Sequence, residues 1–145
     1  MDAMSTDFSE FLVRFDQATE RFMSGEAAPW KELVSRREDT TIMGAWGAWE
    51  RGWPAVSRRY DWAARRFRDG ARLRIERLSV GVGGDLACSV EIEHATVRLA
   101  GQEEPSPMTL RVTHIFRRED GAWRLDARHA DPILEKTAPE DVLQH

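Results

Sequence analysis

The sequence predicts an α+β fold in which helices come first and an antiparallel sheet follows. Apolar residues recur at helical spacing up to Gly70, and the chain beyond it forms long strand-like runs separated by turn sequences. Asp120-Gly121, between two such runs, marks a tight hairpin. Because helices and strands are segregated along the chain, we expect helices covering one face of a curved sheet, not alternating βαβ units.

Length and composition favour a single globular domain spanning 1–145. The chain has 145 residues, of which 41% are hydrophobic and 32% charged, and this size suffices to bury one core. No apolar run approaches the roughly 20 residues that cross a bilayer, and the N-terminus lacks an export signal. We therefore expect a cytoplasmic protein that does not bind membranes.

The charge pattern bears on nucleic-acid binding, and the single cysteine bears on the state of its thiol. The formal net charge of −4 argues against nonspecific attraction to nucleic acid. The arginine-rich stretch from Arg58 to Arg77 carries no base-stacking or groove-reading motif, so we interpret it as a solvated helix face. Cys88, the only cysteine, lies in a strand-like run and is expected to be a buried, unreactive thiol.

Capping residues, prolines and glycines delimit the helical part. Ser5 and Thr6 are capping candidates, Gly25 is a stop signal, and Pro29 suits the first turn of a helix. The predicted elements are a helix over Thr6–Ser24, a short helix at Pro29, a brief strand over Thr40–Met43, and a third helix that follows Gly52-Trp53-Pro54 and ends at Gly70.

Turn sequences delimit four strands in the second part of the chain. Gly83-Gly84-Asp85, the segment from Gly101 to Pro107, and Glu119 to Gly121 separate them. The predicted strands are Ala71–Val82, Leu86–Leu99, Met108–Arg118 and Ala122–Ala130. We expect them to form an antiparallel meander.

The Asp-Gly turn sets a register for the hairpin from Met108 to Asp131. A two-residue turn pairs Glu119 with Ala122. The face that carries Trp123 is then apolar and pairs Arg118 with Trp123, Phe116 with Leu125, His114 with Ala127, and Val112 with His129. The reverse face is expected to be solvated or to contact another subunit, and carries Arg111, Thr113, Ile115, Arg117, Arg124, Asp126 and Arg128.

Two histidines are the polar exceptions on the predicted inward face. His114 and His129 each need a hydrogen-bond partner or a ligand there. One interpretation is a pair of satisfied core residues. The other is a catalytic pair, in which Asp131 orients the ring of His129 as a general base requires.

The hairpin resembles a known family. The run from Leu110 to Leu125, followed by His129-Ala130-Asp131, is similar to the closing hairpin of SnoaL-like proteins in the nuclear transport factor 2-like superfamily. The order of helices and strands is similar as well, so the resemblance covers roughly 7–132 and leaves 133–145 as a tail. This fold hosts enzymes, binding modules and oligomerisation domains alike.

The resemblance implies a cone-shaped, strongly curved sheet wrapped around the first helix, a pocket between the sheet and the third helix, and homodimers formed through the sheets. It places His129 and Asp131 in the pocket walls, where they are the candidate catalytic residues if the protein is an enzyme. The implied ligand-binding residues are Trp46, Trp53, Tyr60, Glu93 and His114.

Some features depart from the family or leave a choice open. Two interpretations of Glu93 stay open. Relatives often place a pocket-facing polar residue at this position, whereas alternation with its apolar neighbours predicts an exposed glutamate. Ketosteroid isomerase needs a carboxylate base where this chain has Met43-Gly44-Ala45, so that mechanism is not expected. No two histidines are separated by one to five residues, and we predict neither a metal site nor a cofactor.

The expected function is that of a small-molecule pocket protein. Clustered tryptophans suit a flat or apolar ligand. One hypothesis is an acid/base enzyme, an isomerase, cyclase or dehydratase, acting on a partly apolar ligand. The alternative is a noncatalytic ligand-binding or oligomerisation module.

Overall fold

The predicted order of helices and strands is confirmed in the computed structural model, which describes residues 6–144. The helices are α1 (Thr6–Phe22), α2 (Ala27–Lys31) and α3 (Trp53–Ala64). The strands are β1 (Thr41–Met43), β2 (Glu50–Arg51), β3 (Phe67–Gly83), β4 (Leu86–Leu99), β5 (Ser106–Glu119) and β6 (Ala122–Asp131), and a 3₁₀ helix covers Pro139–Val142. The sequence pattern did not predict β2 or the 3₁₀ helix.

The strands form one mixed sheet of six strands in the order β2-β1-β6-β5-β4-β3. Strands β3 to β6 are the predicted antiparallel meander. Strand β1 runs parallel to β6 and antiparallel to β2. We call the sheet face that packs against α1 the inner face and the opposite one the outer face.

Helix α1 covers the inner face with a stripe of phenylalanines. Phe8, Phe11 and Phe15 are each at most 1% exposed. Their rings meet Phe116 of β5 edge to face, with centroids 5.1 to 5.5 Å apart. Burying one such side chain stabilises the fold by about 1.5–3 kcal/mol, so this stripe anchors the helix to the sheet.

Among residues 6–144, no helix is long and apolar enough to cross a membrane.

The hairpin between β5 and β6 follows the predicted register near its turn. Asp120 and Gly121 both have positive φ, 50° and 80°, as a two-residue type I′ turn requires. Glu119 pairs with Ala122, Arg118 with Trp123, and Phe116 with Leu125. These three predicted pairs are confirmed.

Beyond Leu125 the predicted register is wrong, because Asp126 is an extra residue in a β-bulge. Phe116 pairs with Leu125 but Ile115 pairs with Ala127. His114 therefore lies opposite Arg128, and His129 lies opposite Thr113 rather than Val112. A bulge of this kind exchanges the faces of every later residue. Arg128 consequently turns inward.

Contacts on the other side of β6 hold the bulge. The Thr40 hydroxyl donates a hydrogen bond to the backbone carbonyl of Asp126, 2.9 Å away, and Thr40 is only 1% exposed. The following residues of β6 pair with β1, Thr41 opposite Ala127. A local feature of the hairpin is thus fixed by a segment more than eighty residues earlier.

Two further expectations are corrected. Helix α3 ends at Ala64, and Gly70 lies inside β3 with φ 99°, at a register shift between Arg68 and Arg72. Cys88 is exposed instead of buried, because the outer face of β4 is not covered within the described part of the chain.

Candidate functional site

A cavity of about 80 Å³ lies between the helices and the inner face of the sheet. Its walls are mostly apolar and include Phe22, Met23, Ile42, Phe67, Met108 and Leu110. Trp46 stands at its rim, 42% exposed, and packs its ring against Phe67 at a centroid distance of 5.3 Å. The cavity is smaller than the ~150 Å³ that holds a benzene ring, so a ring would enter by displacing rim side chains.

Arg128 supplies the charged end of the cavity. Its Nη1 and Nη2 donate to the two carboxylate oxygens of Glu93 at 2.8 and 2.9 Å, and Nη1 also lies 2.9 Å from Nε2 of His114. The Arg128 side chain is 10% exposed and that of Glu93 is fully buried. Burial is the largest single influence and lowers the pKa of Arg128, but the charge and hydrogen bonds of Glu93, together with Tyr60 and Glu91, raise the pKa above its ordinary value. Arg128 therefore stays charged.

His114 lies behind Arg128 as a neutral ring. Burial, together with the charges of Arg128 and Arg77, holds the pKa of His114 well below its usual value. Since Nε2 accepts a hydrogen bond from Arg128, the ring proton resides on Nδ1, which is 3.4 Å from Oγ of Ser89. The His114 ring therefore orients the Arg128 guanidinium. The only lone pair of the ring, on Nε2, already accepts this hydrogen bond and cannot act as a base.

The polar contacts continue from His114 toward the surface. Glu91 lies 3.9 Å from Nδ1 of His114 and 3.3 Å from Nε of Arg77, and Arg77 is bound by both carboxylate oxygens of Asp16 at 2.7 and 3.0 Å. Burial raises the pKa of Glu91, with Arg77 partly opposing the rise. This row of buried polar groups links the cavity end of Arg128 to the partly exposed Asp16.

Tyr60 and Trp30 place two more polar groups at the cavity. Burial raises the pKa of Tyr60 to about 12, although the nearby Arg128 and Trp30 each lower it. Trp30 Nε1 lies near the Tyr60 hydroxyl without completing a hydrogen bond, so this buried N–H has no partner among residues 6–144. Tyr60 remains protonated at neutral pH.

The structure separates the predicted site residues into three groups. Tyr60 and Trp46 line the cavity, whereas Glu93 and His114 lie behind the lining residue Arg128 and reach the cavity only through it. Trp53 lies elsewhere, under the guanidinium of Arg36 at 3.7 Å. His129 and Asp131 lie on the outer face, where Asp131 pairs with the exposed Arg111 at 2.7 Å. The bulge at Asp126 is the reason for their displacement.

Sequence reasoning missed Arg128, Ser89 and Glu91. An unbroken register predicts Arg128 on the solvated face, and the shift between Phe116–Leu125 and Ile115–Ala127 overturns that prediction. The spacing of Ser89, Glu91 and Glu93 was informative, since it puts all three on one face of β4 opposite an apolar set. What it did not reveal is that the polar face is the buried one.

Solved structures show the class of fold to which the chain belongs. A nuclear transport factor 2-like superfamily protein from Salmonella enterica is 17% identical, with 92% of this chain and 93% of that one covered at a TM-score of 0.76. A protein proposed to be a dehydratase of the nuclear transport factor 2-like family, from Streptomyces avermitilis, is 20% identical over 89% and 95%, at 0.73. A cystatin-like fold protein of unknown function from Nostoc punctiforme is 16% identical over 97% and 99%, at 0.67.

The family follows from the sequence match. The SnoaL-like domain model matches residues 2–133, and the chain belongs to this family. A comparison with curated proteins found no match. The predicted α+β fold of nuclear transport factor 2-like type and the resemblance to SnoaL-like proteins are both confirmed, and the strong curvature of the sheet stays a prediction.

Proposed function

We propose that this protein binds a small, partly apolar molecule in the cavity between α1, α3 and the sheet. The observation that carries the proposal is Arg128, a buried charge at the end of an otherwise apolar cavity, held by Glu93 and His114. Convergent polar groups at one end of an apolar cavity are typical of ligand sites. The rim residue Trp46 offers a flat surface to an entering ring.

The same contacts favour binding over acid/base catalysis. Both oxygens of Glu93 are held by Arg128, and Nε2 of His114 accepts from the same guanidinium. Neither side chain therefore offers a free base to a ligand in this arrangement. Catalysis by an isomerase, cyclase or dehydratase mechanism would use Tyr60 as proton donor and would require Glu93 to leave Arg128.

Ligand binding is tested by thermal shift with aromatic polyketides, steroids and small aromatic acids. A ligand that binds only the folded state raises the melting temperature by mass action, and we expect at least one of these classes to do so. Absence of a shift with every class would overturn the proposal.

A matched pair of alanines in α3 localises the binding. Ala63 lines the cavity, whereas Ala55 lines a separate surface groove on the same helix. Ala63→Leu fills the cavity and is expected to abolish the shift, while Ala55→Leu retains it. Equal binding by both variants would place the ligand elsewhere.

We also propose a homodimer formed through the outer face. Leu78, Val90 and Ile115 are 57%, 38% and 43% exposed there, and the bordering Arg111–Asp131 pair carries both signs of charge. A twofold interface places one patch against itself, so an apolar centre with a mixed-charge border is self-complementary. Exposed apolar patches commonly mark such contacts.

The dimer is tested by light scattering of the purified protein. The wild type is expected at twice the chain mass, and Ile115→Glu at the chain mass, because a charge in the interface centre is desolvated without a partner. Val13→Glu is the control, since Val13 is 59% exposed on α1 and lies outside the outer face. A monomeric wild type at high protein concentration contradicts the proposal.

A further inference from the structure

We infer that the ligand carries an anionic oxygen, as in a carboxylate or an enolate, on its apolar body; this inference rests on the proposed function. Three lining residues at the cavity end, Tyr60, Trp30 and Arg128, are hydrogen-bond donors. Trp30 Nε1 is unpaired, and Arg128 has five N–H hydrogens, of which Glu93 and His114 take three. A ligand group that only accepts hydrogen bonds is the group that satisfies all three.

The hydroxyl of Tyr60 has neighbours that can only donate. Trp30 contributes an indole N–H and Arg128 a guanidinium, and neither group carries an acceptor. The two side chains that lower the pKa of the Tyr60 hydroxyl, Trp30 and Arg128, are both donors, and no acceptor for its proton is found among residues 6–144. Its own proton is therefore left for a ligand or for water.

Trp30 contributes a donor that is buried and unused. The residue is 2% exposed, lines the cavity, and its Nε1 lacks a hydrogen-bond partner within the described chain. A buried N–H without a partner costs about 1–3 kcal/mol, so native proteins seldom leave one without a reason. An oxygen placed between Trp30 and Tyr60 would remove this cost.

The charges around the cavity have one sign. Arg128 and Arg59 are its charged lining residues, and no Asp or Glu belongs to the lining, all of which lies within residues 6–144. Glu93 offsets the charge of Arg128 from behind, but its two oxygens point to the guanidinium. Arg59, whose guanidinium stacks over Trp62 at 3.9 Å, adds a second positive charge at the rim.

Among the lining side chains that carry nitrogen or oxygen, only Thr19 is left as an acceptor alone. The hydroxyl of Thr19 donates to the carbonyl of Phe15 at 2.8 Å, which leaves its lone pairs free. Thr19 therefore favours a ligand hydrogen, whereas Tyr60, Trp30 and Arg128 favour a ligand oxygen. This contrast supplies a matched pair of variants.

Three molecules with the same body and different heads test the inference. Phenylacetate, 2-phenylethanol and 2-phenylethylamine are titrated by calorimetry or by amide chemical shifts. We expect phenylacetate to bind about tenfold more tightly than the alcohol, as one extra charge-assisted hydrogen bond would give, and the amine to bind most weakly. Equal affinities overturn the inference and leave the proposed function standing. Absence of binding by all three overturns the inference, and the proposed function falls with it when no ligand class shifts the melting temperature.

Tyr60→Phe and Thr19→Val then locate the preference. Tyr60→Phe removes one donor without changing shape and is expected to reduce the preference for acid over alcohol about fivefold. Thr19→Val removes the acceptor and is expected to weaken the amine instead. Melting curves of both variants confirm that each is folded. Loss of acid binding in Thr19→Val but not in Tyr60→Phe would overturn the inference.

Discussion

The two faces of β4 reverse the usual distribution of polarity. On the inner face Ser89, Glu91 and Glu93 are each at most 1% exposed, whereas Leu86 and Val90 on the outer face are 45% and 38% exposed. Burying carboxylates is costly unless they are paired, and a paired charge is seldom more stabilising than an apolar core. The inner row therefore points to a role in holding Arg128 at the cavity rather than to stability.

The same comparison extends to two arginine–carboxylate pairs. Arg128 binds both oxygens of Glu93 on the inner face through Nη1 and Nη2, and Arg111 binds both oxygens of Asp131 on the outer face through Nε and Nη2, at 2.7 and 2.9 Å. Both pairs are bidentate, but only the first is buried. Because water screens only the outer pair, the two should respond very differently to the same substitution.

The largest effect is expected from Arg128→Leu. Removing the guanidinium leaves Glu93 buried without a partner, and the free energy of unfolding should fall by about 3–5 kcal/mol. Urea denaturation measures it. The matched variant Arg111→Leu, on the outer face, should change stability far less. The double variant Glu93→Leu with Arg128→Leu should recover much of the loss; equal losses for the two single variants would refute the contrast.

A smaller effect is expected where the bulge is held. Thr40→Val removes the hydroxyl that satisfies the buried carbonyl of Asp126, and an unsatisfied buried carbonyl costs about 1–3 kcal/mol. Thr41→Val is the control, because its hydroxyl bonds to the carbonyl of Asp39 at an exposed position. Both are measured by urea denaturation, and a control as unstable as Thr40→Val would show that the bulge does not depend on this bond.

The smallest effect is expected on the pH dependence of the free energy of unfolding, to which His114 on the inner face should contribute. Its folded pKa is lowered by burial and by Arg128 and Arg77, so its contribution to stability is complete above the ordinary histidine pKa and is lost as pH falls toward the folded value. His114→Gln should flatten this loss, and His129→Gln on the outer face should retain it.

One neighbouring carboxylate acts in the opposite sense. The pKa of Glu91 is raised, mainly by burial, so its contribution is present below the unfolded pKa and is lost as pH rises through the folded one. Stability is therefore compared between wild type and His114→Gln at each pH, where the Glu91 contribution cancels. Parallel pH profiles for the two proteins would contradict the assignment.

The sequence by itself determined much of the fold. The spacing of Phe8, Phe11 and Phe15 gave the buried stripe of α1, and the Asp-Gly turn gave three correct pairs of the final hairpin, because both signals are local. The same locality placed Tyr60 on α3 and His114 on the inner face of β5. These elements required no knowledge of distant contacts.

Only the tertiary structure decided the site. The bulge at Asp126 depends on Thr40 and on β1. Because of the bulge, Arg128 lies at the cavity end where an unbroken register would place His129. Alternation along β4 identified which residues share a face, but it could not say which face α1 covers. The physical reason is the same in both cases: strand periodicity sets relative orientation, while contacts distant in sequence set register and burial.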